Sequence, residues 1–241
     1  MSKAHFLLWI GGSGGSGTRA LAAVLTRAGL SPGTVLNEAL DSLPMAALYD
    51  RHLAAYVSGQ GFDAARWRLE LTAALDRHID GQPSPWLVKN PRAVLALPAL
   101  LDGVPGSRFL LLVRNGIDMA FSANQRQLGL YGDLLLGPAA AGESPAGRAL
   151  RLWAAVNLRA RDIVDRHPGR CATLRYEDLC AQPVAAIARI GGELGIPLAR
   201  EHFECEDIMP ASRTRPADWR EQLGAALAQA APALTAFGYP C

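Results

Sequence analysis

Apolar positions along the chain fall into two kinds of stretch. Residues 6–10, 86–88 and 108–113 are short, nearly unbroken apolar runs, and 172–176 reads as another strand. Such runs predict strands covered on both faces, as in a parallel sheet. Between them, apolar residues recur at helical spacing. The pattern predicts helices over 18–30, 41–58, 63–80, 93–102, 117–127, 148–166, 183–194 and 219–236. Residues 33–36 read as a further short strand. Residues 129–147 are rich in Gly, Ala and Pro and read as a mobile loop. Strands alternating with helices predict an α/β fold built on a parallel sheet.

The first strand runs directly into Gly11-Gly12-Ser13-Gly14-Gly15-Ser16-Gly17-Thr18-Arg19, and a helix follows. Strand, glycine-rich turn and helix form an arrangement for holding an anion. Glycines let successive N–H groups converge, and the helix N-terminus adds partial positive charge. A phosphate or sulfate group is expected at residues 14–19. Three patterns overlap here. Gly12-x-Gly14-x-x-Gly17 matches a dinucleotide fingerprint, with Glu38 at roughly the 20-residue interval of its acidic partner. Gly12-x-x-x-x-Gly17 begins a nucleoside-triphosphate loop. Thr18 and Arg19 then stand where that motif places Lys and Ser or Thr. Ser16-Gly17-Thr18 resembles a third kind of loop, known from a family that holds a 5′-phosphosulfate. A purely structural turn is the alternative to all three.

Composition narrows the class. The 241 residues are 50% hydrophobic and 19% charged, which fits one folded domain rather than a disordered chain. A formal charge of +2 gives no argument for nucleic acid. No apolar run reaches transmembrane length, and 6–10 is too short for a signal-peptide core. Cys171, Cys180, Cys205 and Cys241 show neither CxxC nor metal-ligand spacing. They read as free thiols in a reducing, cytoplasmic compartment.

In parallel sheets functional groups collect beyond the carboxyl ends of the strands. Besides the glycine loop, three such ends carry chemistry: Lys89-Asn90-Pro91, Arg114-Asn115-Gly116 and Arg175-Tyr176-Glu177-Asp178. Arg114 precedes a predicted helix that places Ser122 and Arg126 four residues apart on one face. Two guanidinium groups and a hydroxyl suit a phosphate monoester, although a solvated basic face is the plainer reading.

Four blocks in order, GGSGGSGTRAL, WLVKNP, RFLLLVRNGIDMAFSANQR and TLRYEDLCAQP, give the chain its resemblance to the sulfotransferase family. A closing Trp before a helix with AAPALTAFGYP adds to it. The likeness is greater to the bacterial and tyrosylprotein-type branches than to the cytosolic steroid and phenol type. It implies a three-layer fold like that of P-loop nucleoside triphosphate hydrolases. It also implies a donor, 3′-phosphoadenosine 5′-phosphosulfate, that leaves as 3′,5′-adenosine bisphosphate. No metal is implied. By position, Gly14, Gly15, Ser16, Gly17, Thr18 and Arg19 are expected to hold the 5′-phosphosulfate. Arg114, Ser122 and Arg126 are expected on the 3′-phosphate, and Tyr176 near the adenosine. Lys89 and Arg19 are expected to stabilise charge on the leaving phosphate.

The chain departs from the family pattern in three places. Gly15 stands where Arg or Lys is usual, with Arg19 as a substitute charge. The C-terminal basic loop has no direct match, leaving Ser212, Arg213 and Arg215 as substitutes. Glu38 is the expected base, with Asp41 and His52 as rivals. The acceptor is a small molecule, carbohydrate, lipid or peptide, with 39–82 and 128–147 shaping its pocket. An ATP-dependent kinase, an NAD-binding enzyme and a degenerate nucleotide-binding domain are the competing readings.

Overall fold

A computed structural model describes residues 6–140, 142–198 and 215–241. Four strands form one parallel sheet: β1 (Leu7–Gly12), β2 (Trp86–Lys89), β3 (Arg108–Val113) and β4 (Cys171–Arg175), in the order β2-β1-β3-β4. Register aligns Ile10 with Lys89 on one side and with Leu110 on the other. Across the next pair, Val113 aligns with Arg175. The carboxyl ends of all four strands therefore lie along one edge.

The period-2 alternation of each strand divides the core. Leu7, Trp9, Val88, Phe109, Leu111 and Val113 point to one face; Leu8, Ile10, Leu87, Leu110, Leu112 and Leu174 point to the other. Helices α2 (Leu43–Ser58), α3 (Ala64–Ile79), α4 (Leu97–Gly103), α7 (Pro145–Asp165) and α11 (Ala225–Ala236) cover the first face. Helices α1 (Thr18–Arg27), α8 (Tyr176–Ala181) and α9 (Pro183–Leu194) cover the second. Each fully buried Leu, Ile or Phe contributes roughly 1.5–3 kcal/mol relative to exposure, which explains the near-continuous apolar runs. Several helices start where a side chain satisfies their first N–H groups. Ser42 Oγ accepts from Met45 N at 3.4 Å, Asp63 Oδ1 from Ala65 N and Arg66 N at 3.0 Å, and Ser144 Oγ from Gly147 N at 2.9 Å.

Four expectations are corrected. Residues 33–36 are not a strand of the sheet; Leu36 makes only an isolated bridge to Ser42. The predicted helix over 117–127 is two helices, α5 (Gly116–Ala120) and α6 (Arg126–Leu136). The break is chemical. Gln125 Nε2 donates to the carbonyls of Met119 (3.0 Å), Ala120 (3.4 Å) and Ser122 (2.8 Å), satisfying the end of α5. Ser122 and Arg126 therefore do not share a helix face. Residues 129–147 are largely helical rather than loop: α6 continues to Leu136 and α7 starts at Pro145. Gly129 and Gly132 disguise α6 in composition, while Gln127 and Tyr131 bury its inner stripe. The last predicted helix is interrupted at Gly224 (φ 51°), giving α10 (Trp219–Leu223) before α11. Cys171, Cys180 and Cys241 are not disulfide-bonded; Cys205 lies outside the described residues. Among the described residues, no helix is long and apolar enough to cross a membrane.

The segment between α1 and α2 is pinned by His78. This fully buried ring occupies the space above Gly33, where a Cβ would fall 2.3 Å from Cε1. Its Nε2 lies 3.1 Å from the Leu87 carbonyl, and its Nδ1 has no hydrogen-bond partner among the described residues. Burial pulls the imidazole below its ordinary value near 6.5, partly offset by the Leu87 carbonyl. The folded protein thus resists a proton that the unfolded chain accepts. Stability from this group is complete above about pH 6.5 and declines as pH falls below it. The melting temperature is expected to fall more steeply from pH 7 to 5 in the wild type than in His78→Gln. Equal slopes in the two proteins would remove His78 as the titrating group.

Candidate active site

The chain leaves β1 toward β2 on one side and leaves β3 toward β4 on the other. The crevice between the carboxyl ends of β1 and β3 is the switch point, where open α/β sheets bind ligands. The glycine loop enters it from β1 and Arg114-Asn115 from β3.

The loop requires its glycines. Gly15 (φ 87°) and Gly17 (φ 95°) are left-handed. A Cβ on Gly17 would lie 2.2 and 2.4 Å from Cε2 and Cδ2 of Tyr176. One on Gly15 would lie 3.2 Å from Ser122 Oγ and 3.5 Å from Met119 Cε. A side chain at position 15 is therefore strained by this backbone and presses on Ser122 Oγ. Gly17 begins α1, and no side chain among the described residues caps that helix. Its first N–H groups face the crevice with their partial positive charge. Ser16 is fully buried, and its Oγ has no hydrogen-bond partner among the described residues. An unpartnered buried hydroxyl beside an uncapped helix start is a set of donors suited to an anion. Thr18 is buried in the first turn, while Arg19 is exposed and its side chain has no partner among the described residues.

Arg114 and Ser122 both reach the loop. Arg114 Nη1 donates to the Gly15 carbonyl at 3.3 Å, and its guanidinium lies 5.5 Å from the centre of the Tyr176 ring. The ring of Tyr176, only 5% exposed, fills the space between Gly17 and Arg114. Burial pushes its phenol up to about 12. Arg126 opens α6 and is exposed, with no side-chain contact to Arg114 or Ser122 among the described residues. Ser212 and Arg213 lie outside the described residues. Arg215 is committed elsewhere: its Nε lies 2.6 Å from Asp118 Oδ1.

At the end of β2, the Lys89 side chain is 4% exposed. Its Nζ donates to the Ala39 carbonyl at 2.7 Å and pairs with Asp41 Oδ1 at 2.8 Å. Burial pulls this ammonium below the ordinary lysine range; Asp41 opposes that shift and the charge of Arg19 adds to it. Glu38 is exposed, one residue before the carbonyl that receives Lys89. Of its rivals, Asp41 is held by Lys89, and His52 Nε2 lies 2.9 Å from Glu70.

Three residues that support the loop escape a motif-based reading. Gln127 Nε2 donates to the Gly12 carbonyl at 3.2 Å, and Asn157 Nδ2 donates to Ser13 Oγ at 3.1 Å. Asn124 packs at Gly14, its Oδ1 3.5 Å from where a Cβ would stand. A usable signal existed for Asn157, a lone amide within the apolar stripe of α7. Asn124 and Gln127 become visible only once the α5–α6 break is known.

Gly17→Ala is expected to lower stability by about 2–4 kcal/mol, from backbone strain and the clash with Tyr176. Thermal melting should show a drop of roughly 5–15 °C. The second substitution Tyr176→Leu should recover part of it; no recovery would assign the whole effect to the backbone.

The sequence profile of the sulfotransferase family matches residues 8–200. Among solved structures, the fold is similar to the sulfotransferase domain from the curacin biosynthetic pathway, with 15% identity, 99% of each chain covered and a TM-score of 0.55. It is also similar to the sulfotransferase domain of the Synechococcus PCC 7002 olefin synthase, at 15% identity, with 100% of this chain and 98% of that one covered and a TM-score of 0.57. Sulfotransferase STF9 from Mycobacterium avium gives 12% identity, 98% and 76% coverage and a TM-score of 0.58. No curated protein sequence matches the chain significantly. The three-layer arrangement is the α/β fold of P-loop nucleoside triphosphate hydrolases that these structures share. With the family profile spanning most of its length and a phosphate-type loop at the switch point of its sheet, the chain belongs to the sulfotransferase family.

Proposed function

We propose that this protein transfers a sulfuryl group from 3′-phosphoadenosine 5′-phosphosulfate to an acceptor hydroxyl or amine. The observation that carries the reading is the crevice itself. It joins the uncapped start of α1 and the unpartnered Ser16 hydroxyl to Arg114 and Ser122, which both meet the loop at Gly15. A donor with anionic groups at its 5′ and 3′ positions fits two adjoining sets of donors. The misplaced Thr18 and Arg19 argue against a magnesium–triphosphate site.

The donor supplies the sulfuryl group: its S–O bond to the 5′-phosphate breaks as the acceptor's oxygen or nitrogen bonds to sulfur. Gly14, Gly15, Ser16, Gly17, Thr18 and Arg19 hold the phosphosulfate through backbone N–H groups, hydroxyls and one guanidinium. Lys89 and Arg19 stabilise charge on the leaving phosphate. Arg114 and Ser122 bind the 3′-phosphate, with Arg126 at the rim. Tyr176 shapes the nucleoside side by bracing Gly17 and Arg114. Glu38, exposed and next in sequence to the Ala39 carbonyl that receives Lys89, takes the acceptor's proton. Most of the rate gain comes from alignment and preorganised positive charge. The acceptor pocket is assigned to segments 39–82 and 128–147, which contain α2, α3 and most of α6.

3′,5′-Adenosine bisphosphate at about 100 times its dissociation constant is expected to add roughly 2.7 kcal/mol, a melting shift of roughly 5–10 °C. AMP, ATP with magnesium and NAD should shift it far less, and Arg114→Ala should abolish the difference. A shift with ATP or NAD alone would overturn the donor assignment. Glu38→Gln is expected to lower turnover about 10²- to 10⁴-fold while leaving the bisphosphate shift intact. Full activity in that variant would remove Glu38 as the base.

A further inference from the structure

We propose that Asp41 is a positioning residue of this site: it keeps the Lys89 amine as an ammonium at the end of β2, beside the strand that leads into the glycine loop. The inference rests on the donor reading above and assigns the control of its buried cation. An ammonium has three donors. One goes to the Ala39 carbonyl at 2.7 Å, and Asp41 Oδ1 stands 2.8 Å from the nitrogen as its counter-ion.

The choice of lysine at this place sets the problem that Asp41 solves. Of the 24 basic residues, Lys3 and Lys89 are the only lysines, and the other 22 are arginines. Arginine stays charged in any surroundings, whereas lysine loses its proton readily when buried. Lys89 is 4% exposed, and Arg19 lies close enough to disfavour its charge further. Asp41 is the acidic group acting on it from the other side.

Asp41 is itself held in place. Its backbone N–H donates to Asn37 Oδ1 at 2.9 Å, and its Oδ2 accepts from Asn37 Nδ2 at 3.3 Å. Asn37 N donates to the Asp41 carbonyl at 3.2 Å, closing the turn, and Leu40 within it is left-handed (φ 60°). The next residue ties this turn to the strand: Ser42 N donates to the Lys89 carbonyl at 2.9 Å. Acid and amine are thus fixed by backbone on both sides. One carboxylate oxygen stands against Lys89 and the other accepts from Asn37.

The test is direct because the chain has two lysines. With [15N]lysine labelling, the side-chain nitrogen spectrum has two signals, and Lys3→Arg identifies that of Lys89. In Asp41→Asn, which keeps the size and the Asn37 contacts, the Lys89 titration is expected to move down by about 1–3 pH units. Asp41→Glu should restore it. With 3′-phosphoadenosine 5′-phosphosulfate and a simple phenol as acceptor, the alkaline limb of kcat should move by the same interval. The KM for the donor should change less than about threefold. An unmoved Lys89 titration in Asp41→Asn would overturn the proposal, as would a moved titration with an unmoved alkaline limb. If the wild type neither turns over the donor nor is stabilised by the bisphosphate, the donor reading fails separately, and the titration still decides whether Asp41 holds Lys89.

Discussion

The contact between the Tyr176 ring and Gly17 is the constraint on which the site depends. Tyr176 begins α8 at the end of β4, and its ring occupies the volume a Cβ on Gly17 would need. Arg114, at the end of β3, lies against the same ring and donates to the Gly15 carbonyl. Three strand ends are thereby locked into one arrangement. The glycines are demanded twice, by left-handed backbone and by the aromatic ring that fills the gap. At position 15 a side chain is strained by the left-handed backbone and presses on Ser122 Oγ.

Charge at the strand ends is organised in pairs that leave a selected few cations available. Lys89 is matched with Asp41, and Arg215 with Asp118. Glu177 fastens the β3 turn by accepting from Asn115 N at 2.9 Å, while its other oxygen lies 2.7 Å from the Tyr239 hydroxyl. Burial and the Glu177 charge push that phenol well above its usual range, so it serves as a donor. The last residues of the chain thus hold the loop that carries Arg114. Arg19 and Arg126 are exposed, which suits residues that close on an anionic ligand rather than preform its site.

Helices α2 and α6 are tied to the same floor through Arg92. This residue follows Lys89-Asn90-Pro91 and is buried between α2 and α6. Its Nη1 meets Asp50 Oδ1 at 2.5 Å and Tyr131 Oη at 3.5 Å, and its Nη2 donates to the Ala46 carbonyl at 3.1 Å. A buried guanidinium with these partners fixes the spacing of the two helices. The strand that presents Lys89 therefore also places the helices beside it.

The sequence by itself determined the parallel α/β architecture, the positions of the four sheet strands and the glycine-rich turn between β1 and α1. Each follows from local rules: unbroken apolar runs for doubly covered strands, and glycines where the backbone must turn left-handed. It also determined the family, because four motif blocks stand in order along the chain. What it left undecided depended on distant partners. The α5–α6 break comes from Gln125 reaching back over three carbonyls, which periodicity cannot register. The helix α6 was masked by Gly129 and Gly132 and is held by the burial of Gln127 and Tyr131. Only the tertiary structure decided that Tyr176 braces the loop and that Asp41 is bound to Lys89, 48 positions away in sequence. A carboxylate in a sequence carries no mark of its partner. That partner is set when parallel strands bring their carboxyl ends to one edge and burial forces each charge there to find its opposite.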